Sequence, residues 1–313
     1  MAYKLAEDIV SGNAPDMMVL NSNYAFLSND RYLMRTDDNT YRYAYARSYN
    51  GLIVRMSLLK NPASIGITYG EYKDLIESAN NGINVMGTRI DTFNTLFRYS
   101  AESFFDENGH VDLHCEEFRL LSEFVSGLSE NLNGSGSTTS PVISLAEYNG
   151  LTGFIVNYGK YGSDFSIIGL PSADGSSAES VNSEGIAICS CSSSPESCAD
   201  FIRSLSTPEV QSRICFYQDP STEEAVRMKG EIIINERNYY DRDNPLAGPD
   251  GWPSDVVDHY LEQVSDAVIV PDVDTTVLKI LDEELQPYLE GQKSFEEFAD
   301  IAENRINLMV DER

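Results

Sequence analysis

The chain predicts an α/β fold, and three observations point there. Short apolar runs with strand-like patterning alternate along the chain with amphipathic helical periods, the order expected of α/β layers. Hydrophobic residues make up 42% of the chain and charged residues 23%, the balance of a packed core rather than of disorder. The 313 residues allow two lobes of about 150 each.

Each element has a local reason. Leu5, Ile9 and Val10 share one face of a helix over residues 3–11. Gly12-Asn13 end it, and Pro15-Asp16 turn the chain into a strand at Met17–Leu20. Tyr41, Tyr43, Tyr45 and Tyr49 recur at even spacing, which would line one face of a strand or pack it on the core. Further strands are read at Leu52–Met56, Gly153–Asn157, Ser166–Leu170 and Gly185–Cys189. Helices are read near 69–80, 88–104, 115–130, 195–205, 208–214 and 254–264. The segment 131–140, NLNGSGSTTS, reads as a flexible surface loop, and 248–253, GPDGWP, as a turn-rich one. Two helices close the chain at 275–290 and 295–311. Gly291 supplies a left-handed stop between them, and Ser294 with Glu297 forms a capping box for the second.

Composition narrows the function classes. The net charge is -28, and the 22 Lys and Arg form no run, so a nucleic acid partner is not expected. The acidity reads as a solvated, repulsive surface. No apolar stretch reaches the ~18 residues of a membrane span. The opening Met1-Ala-Tyr-Lys4 enters a helical pattern directly, without the charged and apolar regions of a signal peptide. The five cysteines, Cys115, Cys189, Cys191, Cys198 and Cys215, are odd in number and read as buried thiols, with a Cys198–Cys215 bridge as the alternative. Cys189 and Cys191 alternate along a predicted strand, which is poor spacing for tetrahedral zinc.

No motif for catalysis stands out. The chain has no P-loop, dinucleotide fingerprint, G-x-S-x-G elbow or H-E-x-x-H. His110 and His114 lie near Asp106 and Asp112, but Asn108-Gly109 breaks any helix there, so no metal site is assigned. The same stretch resembles a calcium loop only loosely and lacks the terminal bidentate Glu. With 50 acidic residues, no chosen carboxylate pair signals hydrolysis. The chain is therefore read as a non-enzyme without a cofactor.

Several segments together resemble one family. The C-terminal string carries Glu283-Glu284, Tyr288-Leu-Glu-Gly-Gln-Lys293, Ala299-Asp-Ile301 and Asn304-Arg305. Upstream lie LAEDIVSGNAPDMM (5–18), FFDENGHVDLHCEEFRLLSEFVSGL (104–128), IIGLPSADG (167–175) and GIAICSCSSSPESCADFIRSLSTPEVQ (185–211). In this order they resemble extracellular solute-binding proteins of ABC transporters, above all the sugar-binding lipoprotein type. The stretches 25–50 and 215–250 match poorly. The resemblance implies the two-lobe type II periplasmic-binding-protein fold. Its N-lobe would comprise 1–48 and 168–215, its C-lobe 52–165 and 220–313. Hinge crossings would fall near Ser48–Asn50 and Ser163–Phe165; Tyr49-Asn50-Gly51-Leu52 looks like the family's crossing. The N-lobe would be incomplete at its N-terminus. The full-length protein would be extracellular and held by an N-terminal lipid, with signal peptide and anchor absent from this sequence.

The same resemblance, joined to composition, suggests the ligand. The chain has 18 Tyr, 13 Phe and one Trp, and a sugar needs flat aromatic surface for its C–H faces and polar groups for its hydroxyls. Candidate stacking residues are Tyr24, Tyr158, Tyr161 and Trp252; Asn21 and Asn23 are candidate hydroxyl partners. Tyr158 and Tyr161 are expected in a Gly-rich turn after a strand, a region that faces the ligand in relatives. The expected partners are a carbohydrate or other small neutral solute and ABC permease subunits, with the protein a monomer. The alternative is a truncated, non-binding interaction or scaffold protein of the same fold.

Overall fold

The structure is a computed structural model that describes residues 2–20, 22–36, 39–61, 65–80, 82–106, 109–129, 143–145, 150–177, 180–214, 218–240, 255–270 and 272–312. In chain order the elements are α1 (Ala2–Val10), β1 (Met17–Leu20), β2 (Tyr43–Asn50), β3 (Leu52–Val54), α2 (Tyr69–Ala79), α3 (Arg89–Tyr99), α4 (Glu116–Ser126), β4 (Ile143–Leu145) and α5 (Gly150–Tyr161). They continue with β5 (Ser166–Ile168), β6 (Ser180–Ile188), α6 (Pro195–Leu205), α7 (Pro208–Ile214), β7 (Asp219–Pro220), α8 (Glu223–Tyr240), α9 (Val256–Gln263), α10 (Thr275–Leu289) and α11 (Phe295–Asp311). Contacts divide the chain into two units. Unit 1 comprises Met1–Tyr49, Glu147–Ser163 and Val181–Ser265; unit 2 comprises Asn50–Ala146, Asp164–Ser180 and Asp266–Arg313.

In unit 1, β1, β6, β2 and β7 lie side by side in that order. β1 and β6 are antiparallel, with Met17 opposite Ile188 and Leu20 opposite Gly185. Gly185 is required there, because a Cβ would come within 2.7 Å of the Tyr43 carbonyl oxygen. The predicted strands Met17–Leu20 and Gly185–Cys189 thus share a sheet, and the Cys189 N–H extends the pairing to the Asp16 carbonyl at 2.9 Å. The amphipathic face of α1 buries Ala6 and Ile9 against Leu20, Leu27 and Leu33. The tyrosine-rich segment does form a strand, β2, whose second half is buried.

In unit 2, β3 is the middle strand of an antiparallel sheet in the order β4-β3-β5 and is buried on both faces. This explains its unbroken apolar sequence. Leu52 stands opposite Leu145 on one side and Ile168 on the other. The main core has an aromatic centre. Phe97 stacks on Phe104 at 5.0 Å between centroids, and Phe118 meets Phe298 at 5.5 Å. Such pairs add to the area term for burying large rings. α10 ends at Leu289 and α11 begins at Phe295. Gly291 takes φ of 70°, and Ser294 and Glu297 form the reciprocal capping box. Glu284 ties the two helices together. Burial alone would raise its pKa, but Lys293 and Arg305 hold the carboxyl below the usual range.

The structure differs from the sequence reading in four places. The strand expected at Gly153–Asn157 is the middle of α5. Leu151, Phe154 and Ile155 are its buried face, a spacing of three and four that belongs to a helix. The 18-residue α8 lies in the poorly matching region and has no predicted counterpart. Its buried stripe of Ala225, Val226, Lys229 and Gly230 contains a charge and a glycine, which hides the period. The helix expected over 88–104 stops at Tyr99, and a 3₁₀ turn follows at Ala101–Ser103. Lobe limits differ as well. Residues 168–180 fall in unit 2 because β5 pairs with β3, and 147–163 and 220–265 fall in unit 1, where α5, α8 and α9 converge on Asp219.

Candidate functional site

Tyr24, Tyr158, Tyr161 and the backbone of Asn23 fall in unit 1. Asn21 and Trp252 lie outside the described residues, as does the side chain of Asn23, whose backbone belongs to the 3₁₀ turn Ser22–Leu27 after β1. Tyr24 sits in the same turn, half-buried against the small core under α1. Tyr158 and Tyr161 stand one turn apart on α5, not in a loop. Tyr158 packs at 6.3 Å from Phe154 and lies nearly parallel to the His259 ring of α9, 6.2 Å away. Tyr24 packs on the core under α1, whereas Tyr158 packs between Phe154 of α5 and His259 of α9.

The position of α5, and so of both tyrosines, is set by a buried carboxylate that sequence reasoning missed. Asp219 of β7 is fully buried. It accepts the Leu151 N–H at 3.2 Å, the Lys229 ammonium at 3.0 Å and the Tyr260 hydroxyl at 2.5 Å. Lys229 also donates to the Gln218 carbonyl at 2.6 Å. The carboxylate caps the N-terminus of α5, where its charge suits the unpaired N–H groups and the helix dipole. Its approach needs Gly150, since a Cβ there would lie 2.7 Å from Asp219 Oδ1. Tyr260 in turn carries an aromatic series, with Phe154 at 5.3 Å and Tyr49 edge-on at 6.0 Å. This carboxylate serves as a staple: its lone pairs are taken by α5, α8 and α9. The sequence signal was a lone Asp before Pro220, one among many acids.

Among the described residues of unit 2 are concavities at α3 and at α2. The larger, about 230 Å³, lies at the C-terminal end of α3 and is lined by Leu96, Tyr99, Glu102, Leu170, Ser177 and Val270 among others. A smaller one of about 110 Å³ lies beside α2, where Lys60 pairs with Asp74 at 3.1 Å. Neither was expected from the sequence; the larger is assembled from segments far apart in the chain, while the smaller is lined by residues between 58 and 78.

His110 and His114 do not converge on a metal. His110 meets Asp311 at 2.9 Å and His114 meets Asp300 at 3.0 Å, both on α11. Among the described residues no group of three or more His, Cys, Asp or Glu is arranged to hold a metal ion. Cys115, Cys189, Cys191 and Cys198 are free thiols, Cys189 being pushed up to about 11 by burial; Cys215 lies outside the described residues. No helix of the described residues is long and apolar enough to cross a membrane.

No protein-family model matches this chain, and no curated relative matches it. Solved structures do. The sugar-binding protein MalE from Xanthomonas citri is similar with a TM-score of 0.64 at 14% identity, over 99% of this chain and 87% of that one. An ABC transporter solute-binding protein from Thermotoga lettingae, bound with alpha-D-tagatose, is similar with a TM-score of 0.60 at 15% identity, over 98% and 88%. The cyclic alpha-maltosyl-1,6-maltose binding protein from Arthrobacter globiformis is similar with a TM-score of 0.59 at 14% identity, over 99% and 88%. The fold is therefore that of the type II periplasmic-binding proteins.

Proposed function

We propose that the chain is the solute-binding component of an ABC import system and that its solute is a neutral carbohydrate. The observation that carries this reading is a likeness spanning nearly the whole chain to binding proteins whose ligands are sugars. The C-terminal string Tyr288–Lys293 with Asn304-Arg305 supports it independently. On this reading the protein binds and releases its solute unchanged, acts outside the cell as a monomer, is held by a lipid in its full-length form, and hands its solute to permease subunits.

Tyr24, Tyr158, Tyr161 and Trp252 are the proposed stacking residues, with Asn21 and Asn23 as hydrogen-bond partners for hydroxyls. Tyrosine suits this work. It offers a rigid apolar ring and a hydroxyl while losing little conformational freedom on binding. The Asp219 staple contributes by fixing α5, so that Tyr158 and Tyr161 are held in place before a ligand arrives.

Isothermal titration with neutral mono- and oligosaccharides, tagatose and maltose included, tests the reading. Saturable binding of at least one sugar is expected. Absence of saturable heat for every sugar up to on the order of 1 mM would overturn it. Combined Ala substitution of Tyr24, Tyr158, Tyr161 and Trp252, with folding checked by circular dichroism, tests the site. Undiminished affinity would place the ligand elsewhere.

A further inference from the structure

We propose that the unit 2 cavity at the C-terminal end of α3 is a separate saccharide site that accepts a single sugar ring. Its lining residues belong to unit 2, and none of them is among the tyrosines proposed for the solute.

Size is the first argument. About 230 Å³ lies just below the roughly 300 Å³ at which pockets for larger ligands begin, a size that suits one ring with its hydroxyls. Chemistry is the second. Leu96, Leu170, Pro171 and Val270 are buried and give apolar wall for the C–H faces of a ring. Tyr99, Ser100, Ser176 and Ser177 bring hydroxyls, and Glu102 brings the only charge among the described lining residues. The final carbonyls of α3 carry the negative end of its dipole, so this end of the cavity favours hydrogen-bond donors. A pyranose offers such donors in a ring around an apolar face.

Other ligand classes fit less well. An anion would find no cationic side chain among the described lining residues. A divalent cation would find one carboxylate where six or more oxygens are needed. A fatty chain would leave Glu102 and the serines facing hydrocarbon, at the cost of their desolvation.

The wall is also preformed. Ser172 donates its N–H to the Ile67 carbonyl at 3.1 Å and accepts the Tyr69 N–H at 3.0 Å. Asp174 accepts the Ser176 N–H at 3.0 Å and its hydroxyl at 2.8 Å, which holds that carboxyl below the usual range and leaves the Ser176 oxygen free to accept from a ligand. Gly66 lets the Ser177 carbonyl approach so closely that a Cβ would sit 2.3 Å from it. A rim ordered in advance loses little entropy when it binds.

Hydrogen–deuterium exchange on the full chain, with methyl α-D-glucopyranoside and the free hexoses as probes and ethanolamine as control, tests the proposal. Saturable protection of peptides covering 96–102 and 168–177 is expected, with a dissociation constant on the order of 1 mM. Glu102→Gln should weaken it about tenfold by replacing a charged acceptor with a neutral one, and Ser176→Trp should abolish it by filling the mouth. Protection confined to unit 1 peptides would leave the sugar-binding reading standing and overturn this site. Protection in unit 2 alone would uphold this site and leave the sugar-binding reading standing, but would count against the tyrosines as the place where the sugar binds. Ethanolamine protecting these peptides when no sugar does, or undiminished sugar protection in Ser176→Trp, would also overturn the proposal.

Discussion

Asp219 and Lys229 form a costly polar contact in unit 1, since both side chains are almost wholly removed from water. Their charges are tolerable only because Leu151, Tyr260 and Gln218 complete the hydrogen bonding. Lys229→Met should therefore destabilise unit 1 by about 3–5 kcal/mol, because it leaves the Asp219 charge buried without its partner. Urea unfolding followed through unit 1 measures this, and a loss below about 1 kcal/mol would show that the pair is not a staple. Ser294 lies at the other extreme. It is exposed, accepts the Glu297 N–H at 3.2 Å, and its own N–H is accepted by Glu297 at 2.8 Å. Ser294→Ala should cost on the order of 1 kcal/mol, with an unchanged denaturant slope because no core contact is lost.

Among elements, α11 and residues 110–114 are laced together along one helix face. Asp300, Glu303, Asn307 and Asp311 meet, in turn, His114, the Leu113 N–H, the Val111 N–H and His110. The Asp311 hydrogen bond outweighs partial desolvation, and the Asp311 and Asp106 charges add to it, so the His110 pKa is raised above 6.5. A histidine raised on folding adds stability that is complete below its unfolded value and disappears as pH rises through the folded value. The difference between the parent chain and His110→Asn should thus be larger at about pH 5.5 than at about pH 9. Thermal unfolding at the two pH values checks this, and an equal or reversed difference would show that the His110–Asp311 contact contributes nothing charge-dependent.

For the whole molecule, the proposed ligand contacts are stacking and neutral hydrogen bonds, which salt does not screen. Affinity for an identified sugar should change by less than about twofold between low and high salt, in spite of the net charge of -28. A steep loss of affinity with salt, measured by titration calorimetry, would mean that the ligand is held by charge. Saturating sugar should also raise the midpoint of thermal unfolding, because only the folded state binds it.

Local chemistry settled much of this protein in advance. The stop at Gly291, the box at Ser294 and Glu297, and the turn at Pro15-Asp16 depend on neighbouring residues alone, and each stands where the sequence places it. That Met17–Leu20 and Gly185–Cys189 share one sheet agrees with the order of family-like segments, but their direct antiparallel pairing and its register come from the tertiary structure. The run around Phe154 could not be settled locally, since a short apolar stretch serves strand or helix equally. Asp219, distant in sequence, caps α5 and decides the matter. Tyr158 and Tyr161 were legible as aromatic residues near a turn but not as neighbours on a helix beside His259. The cavity beside Glu102 was not legible at all, because its lining comes from α3, the loop after β5 and the segment before α10. Hydrophobic period and capping act over a few residues and can be read in order. A buried charge pair or a cavity exists only once distant segments meet, and only the tertiary structure decides which ones do.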